Sequence, residues 1–202
     1  MKNILLSLAA GCASFVLSSE VRAAEIPFSL EANSSIEVVT QKLSQREGFK
    51  LKSKGSDENL VSFDLKNFDL DGVEFNGCVI QFYQGRLMNI ALTGGIVKLE
   101  KTDEQVANLQ RLKNFYLQQG EKLIIDELSE AKTFKDVLQD RFLLVFETGP
   151  CMVRIKAQKF EFQGVWSAPI VEYSVKEVFE KYQEQKAHHD QERKEKSKSL
   201  LK

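Results

Sequence analysis

From Leu60 onward the apolar residues fall at every second position, and no other feature limits the fold of this chain as tightly. Val61, Phe63 and Leu65 alternate with polar residues. Phe68 and Leu70 follow after a one-residue slip at Lys66-Asn67, and Asp71-Gly72 leads into Val73 and Phe75. A period of two sends successive side chains to opposite faces, so each run reads as a strand with one buried face. Asp-Gly between two such runs marks a tight hairpin, because both turn residues take φ > 0. The slip predicts a β-bulge. Strands from Cys78 to Tyr83 and from Arg86 to Leu92, joined at Gln84-Gly85, continue the meander until Thr93-Gly94-Gly95 breaks it.

A helix precedes this meander. Ser34-Ser35-Ile36-Glu37 has the spacing of a capping box, Ile36, Val39 and Leu43 recur on one face, and Gly48 stands where a helix stops. The pattern then restarts. Thr102-Asp103-Glu104-Gln105 is a second capping box, Val106, Leu109, Leu112, Phe115 and Tyr116 keep the helical period, and Gly120 ends it. Strands follow at Glu121 to Ile125, Arg141 to Thr148, Cys151 to Ala157, Lys159 to Phe162 and Val165 to Tyr173, the last interrupted at Ser167-Ala168-Pro169. Segment 129–140 matches the first half worst, and Thr133-Phe134-Lys135-Asp136 either caps a short helix or begins a strand. Ser174-Val175-Lys176-Glu177 launches a last helix with Val175, Val178, Phe179 and Tyr182 on one face, after which the chain is polar as far as Ser199.

Gly48 and Gly120 lie 72 residues apart, and Cys78 and Cys151 lie 73 apart. Two landmarks whose offsets agree to one residue predict an internal duplication. The expected fold is α+β, with two tandem units of a helix plus an antiparallel meander, at 24–97 and 98–174, and a C-terminal helix and polar tail at 175–202. This plan resembles, in architecture alone, the tandem-repeat bacterial β-lactamase inhibitor proteins and the small outer-membrane assembly lipoproteins. No motif specific to either is present, so no residue role is carried across.

The amino terminus predicts export. Lys2, an apolar run from Ile4 to Leu17 and Val21-Arg22-Ala23 make a secretory signal peptide over residues 1–23. The run is too short for a membrane span, which needs about 20 apolar residues. Ala9-Ala10-Gly11-Cys12 is similar to a lipobox, which makes lipidation at Cys12 an alternative. Taking Lys2 and Arg22 from the 28 basic residues and Glu20 from the 29 acidic ones leaves a net charge of −2. That balance argues against nucleic acid as a partner. Cleavage also removes Cys12 and leaves two cysteines, which in an oxidising compartment predicts a Cys78–Cys151 disulfide worth roughly 4 kcal/mol by the chain-entropy model. The alternative is two buried thiols acting as small hydrophobes. Strand alternation puts both cysteines on the apolar face, with Val79, Gln81 and Tyr83 opposite on one strand and Met152, Arg154 and Lys156 on the other.

Catalytic motifs are scarce. His188 and His189 are adjacent in the charged tail, so they cannot share a helix face as metal ligands. No Gly-x-Ser-x-Gly elbow, Cys-x-x-Cys pair or phosphate loop is present. Asn67-Phe68-Asp69-Leu70-Asp71-Gly72 matches the opening of an EF-hand loop, but Cys78 stands where the bidentate Glu belongs. Acidic pairs such as Asp69 with Asp71, or Asp126 with Glu127, have no spacing that fixes a glycosidase geometry. No cofactor or metal is expected. The chain reads as a periplasmic or secreted, non-catalytic binding, adaptor or inhibitor-like protein, working through an exposed sheet face on another envelope protein and not inserted in a membrane. Tyr83, Arg154 and Trp166 are the candidate interface residues, since these residue types dominate interface hot spots. The alternatives are a small envelope hydrolase with unlocated carboxylates and a lipid-anchored assembly factor.

Overall fold

A computed structural model describes residues 26–54, 59–98, 102–131, 137–138, 141–161 and 163–199. The signal peptide expected at 1–23, Cys12, residues 55–58, the segment Thr133 to Asp136, Phe162 and the end of the polar tail lie outside the described residues. The elements are α1 (Ile36–Ser44), β1 (Phe49–Lys54), β2 (Leu60–Leu70), β3 (Val73–Tyr83), β4 (Arg86–Gly94), β5 (Val97–Lys98), α2 (Thr102–Gln118), β6 (Lys122–Asp126), β7 (Leu144–Thr148), β8 (Cys151–Glu161), β9 (Val165–Val175) and α3 (Lys176–Ser199). The fold is α+β. All nine strands form one antiparallel sheet in the order β1-β2-β3-β4-β9-β8-β7-β6, with β5 beside β9.

The helix-plus-four-strand order occurs twice, and β4 and β9 join the two halves edge to edge. Tight turns show how the halves correspond. Gln84-Gly85 and Gln163-Gly164 both take positive φ in the hairpins β3–β4 and β8–β9, 79 residues apart. At that offset Leu92 and Val171 are equivalent, and they are also cross-strand partners, so an approximate two-fold relation passes between them. Gly48 and Gly120 hold matching places after α1 and α2, each at positive φ. Cys78 and Cys151 do not match: Cys78 sits mid-strand in β3, whereas Cys151 opens β8, and the counterpart of Cys78 is Ala157. Only one of the two landmarks therefore marks a repeat. Repeated topology describes architecture and does not establish a duplicated ancestor.

Hairpin chemistry accounts for the first meander. Asp71 and Gly72 take φ of 52° and 75°, and Asp69 Oδ1 accepts the Gly72 N–H at 3.0 Å. The EF-hand-like stretch is thus a hairpin, as its strand alternation required. The bulge expected at Lys66-Asn67 is present, since the β2–β3 register shifts between Asp64 and Phe68 and Asn67 takes φ of 54°. Pro169 does not interrupt β9. It lies between the last rung to β4, at Ile170, and the first rung to β5, at Ser167, so its missing N–H removes no ladder bond there.

The capping boxes fared unevenly. Ser35 caps α1, accepting from Val38 N and donating to Glu37, but the helix ends at Ser44, short of the expected boundary. Gln105 does not reach back to a cap; it is fully buried in α2 with its amide unpartnered. Ser174 belongs to β9, where its hydroxyl bonds Asn89 and Arg154, and α3 begins at Lys176.

One face of the sheet carries the core. Phe63, Cys78, Leu92, Val171, Ile155 and Leu144 are successive cross-strand partners, all buried. Val39 and Leu43 of α1 and Leu109, Leu112 and Tyr116 of α2 close over this face. The expected disulfide is absent: Cys78 and Cys151 are buried free thiols. Topology is the reason. β4 and β9 separate β3 from β8, and Cys151 lies four residues along β8 from Ile155, which shares the rung of Cys78; three inter-strand steps of about 4.8 Å and about 13 Å along the strand hold the Cα atoms roughly 19 Å apart, whereas a disulfide needs about 4.4–6.8 Å.

Candidate functional site: the open face of the sheet

The other face is built from the alternate residues of the same strands. One rung runs Ser62, Val79, Ala91, Glu172, Arg154 and Val145, and the next runs Asp64, Gly77, Thr93, Ile170 and Lys156. Over β2, β3 and β4 these side chains are short, and they leave a hollow of about 560 Å³ lined by Lys52, Ser62, Asp64, Asn76, Gly77, Val79 and Thr93. Gly77 forms part of its floor. A Cβ there would lie 3.6 Å from Thr93 Cβ, an ordinary contact, so packing does not demand glycine at this position. A glycine inside a strand marks a bulge or a close approach by something else. The pairing with β2 and the pairing with β4 both shift register between Phe75 and Gly77, and the missing side chain deepens the hollow. Lys52 and Asp64 form a 3.3 Å ion pair on its wall, but both are well exposed, so the pair adds little stability.

Towards β8 the face is closed by a charged cluster. Arg154 Nη2 donates to Glu172 at 3.3 Å and to Ser174 at 2.7 Å; Ser174 donates to Asn89, and Asn89 to Gln81. The guanidinium lies between two rings, 4.8 Å from the centroid of Phe142 and 4.6 Å from that of Phe179. Burial lowers the Arg154 pKa, and the Glu172 charge opposes that effect. Phe179 belongs to α3, whose first turns cross one end of the face. Val178 is buried there, and Tyr182 meets Tyr83 edge to face at 5.4 Å.

The three interface candidates therefore have separate settings. Arg154 and Tyr83 lie beneath α3, engaged with Phe179 and Tyr182. Trp166 shares the face but lies opposite Phe160, with Lys98 Nζ 5.4 Å from its ring centroid. Counting along the strands from the shared rung puts it about 30 Å from Tyr83. The three do not make one patch. Phe142 and the Gln81–Asn89–Ser174 ladder escaped the sequence reading. The ladder's one signal was polar side chains in the solvent phase of otherwise apolar strands, and Phe142, just before β7, gave none.

Nucleophilic chemistry finds little support in the buried groups. Desolvation pushes the Cys78 thiol up to about 12 and the Cys151 thiol up to about 11, so neither is a thiolate at neutral pH. Tyr116 and Tyr173 hydrogen-bond to each other through their hydroxyls, and burial raises both pKa values. Asp126 is held by Lys113 at 2.5 Å and by Ser129 at 2.7 Å. Burial would raise its carboxyl, but these bonds and the Lys113 charge outweigh burial and lower it. His188 is exposed on α3, 3.5 Å from Glu192. Among the described residues no group of three His, Cys, Asp or Glu side chains is placed to hold a metal, and no helix is long and apolar enough to cross a membrane.

No protein family, curated protein or solved structure shows significant similarity to the chain.

Proposed function

We propose that this protein is an exported, non-catalytic binding, adaptor or inhibitor-like protein that receives part of another envelope protein on the open face of its sheet. The observation that supports this is the contrast between the two faces. One is sealed by α1, α2 and a continuous apolar row, while the other keeps a hollow floored by Gly77, Ser62, Val79 and Thr93. Short side chains on a rigid antiparallel sheet admit a partner's larger ones, and fixed backbone lowers the ordering cost of binding. The export signal expected at residues 1–23 and the near-balanced charge fit an envelope protein partner.

Site-specific photocrosslinking tests the face. Benzoylphenylalanine replaces Val79 or Thr93 on the open side, and Val106 on the exposed side of α2 serves as the comparison. Irradiation of intact cells is expected to give discrete adducts from the first two positions and none from the third. Identical adducts from Val106, or no adduct from Val79 and Thr93, overturns the assignment.

A further inference from the structure

α3 rests on the sheet through one side of its first turns. Val178 is buried, Phe179 lies over Arg154 and Tyr182 meets Tyr83, all at helical spacing. Polar contacts fix that start. Arg86 donates to Asn33 at 3.0 Å and to Glu177 at 3.1 Å, and Lys176 donates to Glu147 at 2.6 Å. Beyond Tyr182 the same side of the helix turns basic. Lys186, His189 and Arg193 continue the stripe, and with Tyr83, Tyr182, Gln185 and Asp190 they line a groove of about 390 Å³.

The basic stripe is left to solvent. From Gln183 to Lys194 every residue of α3 is exposed, and among the described residues no carboxylate engages Lys186, His189 or Arg193. Charges elsewhere around the helix do pair, Lys181 with Glu177 at 2.9 Å and His188 with Glu192 at 3.5 Å. Asp190 follows Lys186 by four residues, the less favourable order for such a pair. A helix that is polar all round is held by pairs of this kind or bridges to something else.

The groove continues the hollow. Val79, Gln81 and Tyr83 are alternate residues on the open side of β3, so Tyr83 lies about 13 Å from Val79 along one strand. An extended segment seated on Val79 therefore reaches the α3 stripe about four residues later. Its same-side residues repeat every ~6.7 Å, and Lys186 to Arg193 spans about 10 Å of helix, so two carboxylates two residues apart fit between these cations. A single small anion would use only one end of the stripe.

We infer that α3 and the Tyr83 end of β3 form a clamp for an acidic segment of the partner protein, whose carboxylates accept from Lys186, His189 and Arg193. The inference rests on the open-face reading above and adds the partner's chemistry: an apolar side chain for the hollow, with Asp or Glu about four to six positions away. Beyond Tyr182 the stripe carries no apolar residue, so it does not suit a lipid surface.

Photocrosslinking in intact cells tests the clamp, with benzoylphenylalanine at Gln185 in the groove or at Val79 in the hollow and the protein expressed below saturation. Both positions are expected to give adducts with one and the same protein, and mass spectrometry is expected to find Gln185 joined to a segment rich in Asp or Glu. Lys186→Glu with Arg193→Glu is expected to lower the Val79 adduct about tenfold, the combined effect of exposed ion pairs lost and repulsion gained. Lys194→Glu makes the same charge change outside the groove and is expected to leave the adduct unchanged. Asp190→Asn removes the carboxylate that lines the groove and is expected to raise it. If circular dichroism shows that the double reversal frays α3, Lys186→Gln with Arg193→Gln replaces it, with an expected loss of about threefold. A Val79 adduct indifferent to these charges, no adduct at Gln185 beside one at Val79, or a Gln185 adduct to lipid, glycan or a segment without acidic residues overturns the inference and leaves the open-face reading standing. No adduct from Val79 and Thr93 overturns that reading and the inference with it.

Discussion

Cys78 and Cys151 show how far one residue's sequence context reaches. Strand alternation correctly predicted that both side chains enter the core, where they are 1% exposed. Pairing depends on strand order, and β4 and β9 intervene. Burial then determines their chemistry, since a thiol pushed up to about 12 or about 11 stays protonated at neutral pH. A thiol reagent at pH 8 is expected to leave both unmodified in the folded protein and to label both in denaturant. Peptide mass spectrometry distinguishes this from a disulfide, which would leave both unlabelled in denaturant without reductant. Arg154 makes the same point in reverse. Alternation put it on the open face, but the rings of Phe142 and Phe179 that enclose it come from distant parts of the chain.

At the scale of elements, two glycines in matching places carry different burdens. Gly48 and Gly120 end the approaches to β1 and β6 at φ of 82° and 78°. A Cβ on Gly120 meets nothing within 4 Å, whereas a Cβ on Gly48 would lie 2.4 Å from the Lys66 carbonyl oxygen. That carbonyl belongs to the bulged part of β2, and Lys66 N also donates to Gly48 O at 2.8 Å, so neither side yields cheaply. Gly120→Ala is expected to cost about 1 kcal/mol from backbone strain alone. Gly48→Ala is expected to cost about 2–4 kcal/mol, because a backbone contact must also open. Urea denaturation of the two variants checks the order, and equal losses would contradict it. Helix ends were less legible than strand turns. A Gly or Asp-Gly at positive φ is a local steric requirement, but Ser174 and Gln105 show that a capping pattern yields when a strand or core claims the same residues.

For the whole molecule, one core row crosses the β4–β9 junction from Phe63 to Leu144, so the halves share their hydrophobic stabilisation. Each aliphatic side chain buried in that row contributes about 1.5–3 kcal/mol, and separating the halves would expose the middle of it. The protein is therefore expected to unfold in one transition. Trp166 fluorescence, which reports the second half, and far-ultraviolet circular dichroism, which reports both, should give coincident urea curves. Two resolved transitions would show that the halves hold themselves together independently. The same junction leaves the open face continuous across both halves, with α3 crossing one end of it.

Local sequence by itself determined the alternating strands of the first meander and their buried faces, the hairpins at Asp71-Gly72 and Gln84-Gly85, the bulge near Asn67 and the apolar start of α3, whereas β8 and β9 each read as interrupted and β5 gave no signal. Each follows from side-chain period or from backbone sterics within a few residues. Tertiary structure alone decided that β4 and β9 adjoin, that the cysteines are too far apart to bond, that Arg154 is enclosed and that the hollow around Gly77 exists. Those features depend on which strands become neighbours, and the pairing of distant segments is set by the fit of the whole core, which no short stretch of residues encodes.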